Sequence, residues 1–415
     1  MRLDPKQVAA FALYDFANSA YSAVIVATVF AVYYAQSVVG NETGEGDLWW
    51  GRVMSVSVLF VALSSPALGS VADRARIRKR MMLAYTCLCI GAVAALSSVG
   101  PGDVLWGFCL AVLANIGFEG ALVYYNAYLP DLAPEERRGF VSGVGFALGY
   151  AGSLIGLLIA LPLVQRGMFE LTWLSVAAFF ALFSLPAWRW LPADAPGGQH
   201  VAKAALDGFR RLRATTREVL RSKPLRRFLF AYFFYIDGVL TVIYFAAIFA
   251  TKTLRFEQGE LMLLFMVVQI SALLGSLALA KPTDRWGAKR VIGLTLVLWT
   301  LIVAGAAAVE SKPTFFAMAA LAGSGLGAVQ AASRSLMSSM IPRGREAELF
   351  GFYAFCGKSS SVLGPLVFGQ VSYLSGGNQR LAVLCIGAFF VVGGLLLRRV
   401  PSPAASGRVP YVGAS

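Results

Sequence analysis

The sequence predicts an all-α integral membrane protein with twelve transmembrane helices in two pseudo-symmetric bundles of six. Composition is the first reason: 58% of the residues are hydrophobic and 14% are charged, whereas a water-soluble domain carries about 25% charged residues. The second reason is a series of twelve long apolar stretches, and the third is a charged phrase that occurs twice, about half a chain apart.

Each apolar stretch is long enough to cross a bilayer as a helix, which takes about 20 largely apolar residues. A transmembrane β-barrel would show alternating segments of about ten residues, and these stretches are longer and more uniformly apolar. Short connections leave little of the chain for a domain outside the membrane. The predicted spans are residues 8–39, 50–72, 81–99, 104–129, 140–165, 170–191, 227–250, 259–280, 291–309, 313–341, 348–375 and 379–398.

The middle of the chain separates the two predicted bundles. Residues 192–198 are rich in proline and glycine, a linker signal. Beyond them, Leu206, Phe209, Leu212, Val219 and Leu220 recur at near-helical spacing among arginines. We predict a basic amphipathic helix on the cytoplasmic leaflet, with a site for a specific partner as the alternative. The predicted organisation is an N-terminal bundle at 1–191, a cytoplasmic linker at 192–226, a C-terminal bundle at 227–400 and a cytoplasmic tail at 401–415.

The formal net charge of +14 reflects membrane topology rather than a nucleic-acid partner. If the N-terminus is cytoplasmic, 28 Lys and Arg residues lie on that side and 6 on the other. This is the positive-inside pattern. We therefore predict that both termini are cytoplasmic, with the lipid bilayer as partner and no nucleic acid. The compact loops favour a bacterial inner membrane.

Catalytic and metal-binding motifs are missing from the sequence. The five cysteines lie in apolar spans without metal or redox spacing, and the only histidine, His200, lies in the linker. Neither a nucleotide-binding Gly-x-x-x-x-Gly-Lys loop nor a Gly-x-Ser-x-Gly elbow occurs. We expect no enzyme activity, no metal and no cofactor.

The charged phrase marks an internal duplication. It reads Gly69-Ser70-Val71-Ala72-Asp73-Arg74, running on to Arg78-Lys79-Arg80, and returns as Ala280-Lys281-Pro282-Thr283-Asp284-Arg285, running on to Lys289-Arg290. The two aspartates are 211 residues apart, and an offset of 212 matches Pro130 to Pro342, Gly139-Phe140 to Gly351-Phe352 and Gly152 to Gly364. Two copies of a six-helix module explain these matches, a layout typical of transporters.

These phrases, spans and basic loop resemble the major facilitator superfamily, whose loop after helix 2 has the pattern Gly-x-x-x-Asp-Arg. Narrower matches resemble the branch of the autophagy-related vacuolar effluxers and their bacterial relatives. This chain has Phe16 where that branch commonly has Trp. The matching segments are Leu13-Tyr14-Asp15-Phe16-Ala17-Asn18-Ser19-Ala20-Tyr21, Asn115-Ile116-Gly117-Phe118-Glu119, Tyr125-Asn126-Ala127-Tyr128-Leu129-Pro130-Asp131 and Glu346-Ala347-Glu348-Leu349-Phe350-Gly351-Phe352-Tyr353.

The resemblance implies that the two phrases form a gate, which latches the two halves on the cytoplasmic side. A carboxylate at a span end can be stabilised by arginines and by the positive end of a facing helix. The alternative is that the basic residues only set topology. Because Ala280 replaces the leading glycine, we expect the second copy to pack differently. The implied gate residues are Gly69, Asp73, Arg74, Arg78, Asp284, Arg285, Lys289 and Arg290.

Polar residues inside the spans are the candidates for solute binding, because an ionised group near the bilayer centre costs about 2.5 to 3.5 kcal/mol and normally faces a cavity or a partner. They form stripes at helical spacing in predicted helices 1, 4, 7 and 10, which line the cavity in the family that the chain resembles. The stripes are Asp15, Asn18 and Ser22; Asn115, Glu119 and Asn126; Asp237, Thr241 and Tyr244; and Gln330 with Arg334.

The charges in these stripes suggest a zwitterionic solute. In this hypothesis Asp15, Glu119 and Asp237 bind a cationic group or a coupling proton, and Arg334 and Lys358 bind a carboxylate. Tyr14, Tyr21 and Tyr244 would supply amphipathic walls. The alternative is that Glu119 pairs with Arg334, and Asp15 or Asp237 with Lys358, only to neutralise charge.

Three GxxxG pairs predict close helix packing, because they allow helix backbones to approach each other closely. Sliding of these helices against each other is a further role that the pattern leaves open. The three pairs are Gly145 with Gly149, Gly152 with Gly156, and Gly323 with Gly327.

The predicted function is secondary transport of a small organic solute by rocker-switch alternating access. The sequence leaves open whether transport is coupled to protons. We expect the protein to be a monomer. The resemblance implies amino-acid efflux. Export of amphipathic organic cations is one alternative. A membrane sensor that transports nothing is another.

Overall fold

The computed structural model describes residues 3–40, 45–194, 196–361, 363–376 and 378–401. Within these ranges the chain is helical with short connections, and no β-strand occurs in them. A helix satisfies its backbone hydrogen bonds internally, which lipid requires. All but the first residue of the predicted tail lie outside the described residues.

The described residues form sixteen α-helices, numbered in chain order, and π-type turns at Ser22–Thr28 and Tyr34–Val39 extend the first. The helices are α1 (Pro5–Tyr21), α2 (Val29–Tyr33), α3 (Glu45–Ala75), α4 (Arg78–Ala95), α5 (Val104–Asn126), α6 (Leu129–Leu132), α7 (Arg138–Gln165), α8 (Phe169–Trp190), α9 (Val201–Arg221), α10 (Lys223–Leu254), α11 (Gln258–Trp286), α12 (Ala288–Ala308), α13 (Lys312–Ser339), α14 (Glu346–Ser360), α15 (Leu363–Leu374) and α16 (Gln379–Arg398).

Eleven helical stretches in the described ranges have the length and apolar composition to cross a membrane. They match eleven of the twelve predicted spans. The remaining one, residues 348–375, is divided into α14 and α15. Pro365 accounts for the break, because it cannot donate a hydrogen bond to the Ser361 carbonyl and its ring would clash there.

The chain divides into two compact units. The first unit comprises Met1–Leu132, Leu148–Arg210 and Gly344–Phe352, and the second comprises Ala133–Ala147, Arg211–Arg343 and Tyr353–Ser415. In the first unit α1 packs on α8, and α5 packs on α3 and α4. In the second unit α13 packs on α11 and α12, and α16 packs on α10 and α12.

Close helix approaches occur at the glycines that the sequence singles out. A Cβ on Gly152 of α7 would overlap the Phe16 carbonyl of α1, and Gly156 lies against Ala20. In the second unit, Gly323 and Gly327 of α13 lie against the α11 backbone. Backbone contact of this kind replaces the hydrophobic effect as the source of helix association in lipid.

The predicted amphipathic segment of the linker is helical, as α9. Its first turns are anchored to the first unit, because the buried Ala204 packs with Val71 and Ala75 of α3. The side chains of residues 208–212, which include Phe209 and Leu212, lie outside the described part of the chain.

Candidate functional site

The first charged phrase ends α3 and binds the N-terminus of α14, and we call this contact the first latch. The Asp73 carboxylate accepts hydrogen bonds from the backbone N–H groups of Ala347 (3.1 Å) and Glu348 (2.9 Å). These N–H groups belong to the first turn of α14, which has no intrahelical acceptors for them. The positive end of the helix dipole further favours a carboxylate there.

Arg78 surrounds the first latch with ion pairs. Its guanidinium donates to Asp131 at 2.7 Å and to Glu346 at 3.3 Å, and its Nε lies 4.0 Å from the Asp73 carboxylate. It also donates to the Ala127 carbonyl at 2.7 Å. One guanidinium therefore holds three carboxylates from three parts of the chain, and the α14 dipole compensates part of the remaining negative charge.

Gly69 allows the first latch to close. It lies one turn before Asp73, and a Cβ at this position would overlap the carbonyl of Ala347. The end of α3 thus lies against the α14 backbone, at a distance that only glycine permits.

The second charged phrase repeats this arrangement on α7, and we call the contact the second latch. The Asp284 carboxylate accepts hydrogen bonds from the backbone N–H groups of Gly139 (2.7 Å) and Phe140 (2.9 Å). Both N–H groups lie in the first turn of α7. Each latch therefore joins the end of a helix from one repeat to the start of a helix from the other.

The second copy packs with the glycine on the opposite helix. Ala280 occupies the position of Gly69, and its Cβ would lie 2.5 Å from a Cβ built on Gly143 of α7. In the first latch the glycine is on the phrase and the facing residue is Ala347. The second copy therefore packs differently, as predicted. Its glycine is on the facing helix, as Gly143, and its alanine is on the phrase, as Ala280.

The linker binds the start of α4, which follows the first phrase, through hydrogen bonds to Asp194. The Asp194 carboxylate accepts hydrogen bonds from the backbone N–H groups of Lys79 (2.7 Å) and Arg80 (3.2 Å) at the start of α4. The Lys79 ammonium donates to the Leu191 carbonyl at the end of α8 (2.7 Å). In the second repeat, Lys289 similarly donates to carbonyls at the end of α16.

The remaining predicted gate residues lie outside both latches. Arg74 donates from Nε to Ser70 on its own helix at 3.2 Å. Arg285 and Arg290 are exposed. Of the predicted gate set, the structure brings Gly69, Asp73 and Arg78 together.

In the first unit, the candidate solute-binding residues lie on α1 and α5. Asp15 and Asn18 are buried, and Asn18 donates to the carbonyl of Tyr14 (2.8 Å). Asn115 donates to the hydroxyl of Ser57 on α3 at 2.7 Å. Glu119 and Asn126 are half-buried on α5.

The predicted aromatic walls have different environments. Tyr14 is fully buried and shares a 2.6 Å hydrogen bond with Thr86 of α4, and Tyr21 is also buried, against Phe118. Tyr244 is largely exposed. Tyr14 and Tyr21 therefore belong to the packed core of the first unit.

Asp237 in the second unit binds the half-helix that follows the break. Its side chain is fully buried, accepts a hydrogen bond from the Gly364 N–H at 2.8 Å, and lies 3.4 Å from the Thr241 hydroxyl that donates to it. A Cβ on Gly364 would collide with Thr241. Asp237 therefore stabilises the N-terminus of α15, as the two latch aspartates stabilise α14 and α7.

Arg334 is the most deeply buried cation among the candidates. Its guanidinium donates to the hydroxyl and the carbonyl of Ser142 on α7, both at 2.8 Å, and lies 4.1 Å above the ring of Phe146. Gln330, one turn earlier on α13, and Lys358 on α14 are half-buried.

Sequence reasoning missed the side chains that bind Arg78 and Arg334. Asp131, Glu346 and Ser142 were assigned no role, although Asp131 and Glu346 each follow a turn and open a helix. That position is the signal that could have identified them, because acidic residues are favoured in the first turn. The role of Asp194 is harder to predict, because Asp194 lies in an irregular linker and not at the start of the helix that it caps.

The comparison with known proteins identifies the family. The model of the family described as "Vacuole effluxer Atg22 like" matches residues 52–406. The chain belongs to this Atg22-like family. YxiO, an MFS-type transporter of Bacillus subtilis, is 30% identical to it, over 98% of this chain and 97% of that protein. Autophagy-related protein 22 of Yarrowia lipolytica is 26% identical, over 76% of this chain and 69% of that protein.

Solved structures show the fold of the Atg22-like chain. The human organic anion transporter MFSD10 (TETRAN) aligns with a TM-score of 0.75 and 16% sequence identity, over 95% of this chain and 100% of that one. At this identity the likeness concerns the fold alone. The predicted all-α major facilitator fold is confirmed, and the chain is an integral membrane transporter of a small-molecule substrate.

Proposed function

We propose that this Atg22-like transporter exports amino acids by rocker-switch alternating access. The matched pair of latches is the observation that carries the proposal. Each latch is a carboxylate at the first turn of a helix from the other repeat, so it can be complete in one state and broken in another. Two such contacts, one in each unit, are suited to closing a predicted cytoplasmic gate.

The charges of the candidate site support a zwitterionic cargo. Arg334 is a buried guanidinium that stacks on Phe146 and donates to Ser142. A cation of this kind is the proposed partner of the solute carboxylate, which would compete with Ser142 for its donors. Lys358 is a second candidate for the same role. Asp15 and Glu119 are the candidates for the ammonium group or for a coupling proton. The family description names efflux from a vacuole, and movement out of the cytoplasm is our proposal for this chain.

We assign Asp237 to structure rather than to the solute. Its carboxylate is occupied by Gly364 and Thr241, and releasing it would leave the start of α15 without an acceptor. Tyr244 and Gln330 remain proposed contacts of the solute path. A single chain contains both repeats, so a monomer suffices, with both termini on the cytoplasmic side of a bacterial inner membrane.

Flux in proteoliposomes tests the proposal. Purified protein is reconstituted and given a panel of radiolabelled amino acids, with and without a proton gradient. We expect saturable counterflow of at least one amino acid, and a decrease of about 10- to 100-fold in Arg334→Gln, because a hydrogen bond to a charged group contributes about 1.5 to 3 kcal/mol. Movement of a lipophilic cation with no amino-acid movement would overturn the assignment.

Proton coupling is tested separately with Glu119→Gln. If Glu119 carries the coupling proton, the variant loses the pH dependence of flux while counterflow persists. An unchanged pH dependence removes Glu119 from that role and leaves the amino-acid assignment intact.

A further inference from the structure

The second unit contains a cavity that none of the latch or solute-site contacts explains. It has a volume of about 220 Å³ and lies among α10, α11, α12, α13, α15 and α16. Its wall is mainly apolar, with Phe249, Leu264, Ile302 and Met318 among the lining residues.

An open space of this size is unusual in a packed helical bundle. Protein interiors are close-packed, and voids larger than a water molecule are few. A bound water needs two to four polar partners, and apolar cavities of about 150 Å³ stay dry yet bind benzene or xenon. The wall therefore favours an apolar occupant over water.

One polar group in the wall limits the chemistry of that occupant. Gln269 of α11 lines the cavity and is buried, and no hydrogen bond joins its amide to another described residue. The ring of Trp299 of α12 also lines the cavity, but its Nε1 is enclosed by protein atoms and does not reach the cavity surface. Buried polar groups are normally hydrogen-bonded, and the Gln269 side-chain NH₂ can donate. A ligand with one acceptor group would meet this need.

The cavity adjoins the break between α14 and α15. Thr241, which donates to Asp237, lines it. Phe368 of α15 also lines it and stacks on Phe245 of α10, with ring centroids 3.8 Å apart. An occupant would therefore contact both α10 and the half-helix that Asp237 holds.

We propose that this cavity binds a small, largely apolar molecule with one hydrogen-bond acceptor, which enters from the bilayer and holds α15 against α10. The site shares Thr241 with the polar stripe of α10, and its other lining residues lie outside the stripes proposed for the solute. It does not depend on the identity of the transported solute.

Photolabelling of the full-length protein in lipid nanodiscs tests this site. The probe is 3-trifluoromethyl-3-phenyldiazirine, which is small and apolar, and the competitor is benzotrifluoride, which lacks the reactive group. We expect insertion into Phe249, Met318 and Phe368 that saturates with probe and is lost with excess competitor. Labelling that never saturates, or that is restricted to outward-facing residues such as Leu274, would overturn the proposal.

A cavity-filling variant provides the matched comparison. Ala319→Phe places a ring in the cavity, whereas Ala317→Phe adds the same ring to an exposed position of α13. We expect saturable labelling to be lost in A319F and retained in A317F. Equal labelling of both variants would contradict the proposal. If A319F does not fold, Ala322→Leu, at another lining position, replaces it.

Thermal unfolding gives a second readout. A ligand that binds only the folded state raises the unfolding temperature, so benzotrifluoride should raise it for the wild type and for A317F but not for A319F. The same upward shift in A319F would show binding elsewhere. Neither readout uses solute flux, so failure of the amino-acid assignment leaves this test unaffected.

Discussion

The Asp73 carboxylate accepts a hydrogen bond from the backbone N–H of Glu348, 275 positions further along the chain, at a distance of 2.9 Å. The Asp73 side chain is only 4% exposed. Water cannot replace the N–H donors gradually at so closed a contact. The bond is therefore suited to an all-or-none gate.

Asp73→Asn should weaken the first latch while keeping the size of the side chain. The amide has one acceptor oxygen in place of two, so one of the two α14 N–H groups loses its partner. An unsatisfied buried donor costs about 1 to 3 kcal/mol, which corresponds to a shift of about 5- to 150-fold between conformational states. Limited proteolysis of inside-out vesicles should show faster cleavage near Gly344, beside the start of α14.

Arg285→Gln is the control for that change, because Arg285 carries charge in the second phrase but is exposed. We expect cleavage of this variant to match the wild type. Equal acceleration by D73N and R285Q would mean that loss of charge, rather than loss of the latch, opens the segment.

Reciprocal substitutions test the different packing of the two latches. Gly69→Ala should disrupt the first latch, because its Cβ would overlap the Ala347 carbonyl. Ala280→Gly should be tolerated, because Gly143 already faces that position. The melting temperature of the purified protein in detergent should fall for G69A and change little for A280G. A larger fall for A280G would contradict this packing.

Eleven of the twelve spans and the duplication could be predicted from the sequence because they depend on local composition. Lipid forces each apolar stretch into a helix, so span length and hydropathy determine the element type. The break in residues 348–375 was not predicted, although Pro365 marks it. A proline can also be accommodated within a membrane helix, as Pro66 is within α3, so the residue alone does not decide.

The two latch aspartates were predicted, but the backbone N–H groups that donate to them were not. Sequence identity matched Gly139 to Gly351, whereas Asp284 binds at Gly139 and Asp73 binds at Ala347. The true equivalents are one helical turn away from the residues that look alike. Helix packing decides which helical turn faces the carboxylate. The glycine that permits close approach is on the phrase in the first latch and on the facing helix in the second. A single sequence does not carry that information.

The turns after the two phrases give a prediction about backbone strain. Arg76 has φ of 55° and Gly287 has φ of 88°, so both repeats leave the phrase through a residue with positive φ. Gly287 has ψ of 137°, a conformation that residues with a Cβ rarely adopt, so Gly287→Ala should destabilise the protein by about 1 to 3 kcal/mol. No atom lies within 4 Å of the added Cβ, so the effect is conformational.

Gly293→Ala is the matched comparison for that turn. Gly293 lies within α12, and a Cβ there also meets no atom within 4 Å. Alanine should stabilise this helix by about 0.5 to 1 kcal/mol. Denaturant titration of both variants should give opposite signs, and the same sign would argue against strain at Gly287.

Asp194→Ala should loosen the loop that carries Arg78. The carboxylate acts as a cap for the start of α4, through the N–H groups of Lys79 and Arg80, and loss of such a cap costs about 0.5 to 2 kcal/mol. Hydrogen exchange at the start of α4 should accelerate accordingly. Arg80→Ala keeps both capping bonds and removes an exposed guanidinium that lies 3.7 Å from the Asp194 carboxylate. An exposed ion pair contributes little, so the exchange of this variant should stay near that of the wild type.

The measurement that tests the central claim most directly is the accessibility of a buried position beside the second latch. Ser338, whose carbonyl accepts from Arg138 at 2.8 Å and whose side chain is fully buried, is replaced by cysteine in a background without native cysteines. Inside-out vesicles are then treated with a charged thiol reagent. If the latches close the cytoplasmic gate, S338C should react slowly, and the added D73N and D284N changes should raise the rate by about tenfold or more. An equal rate with and without the two aspartates would contradict the account.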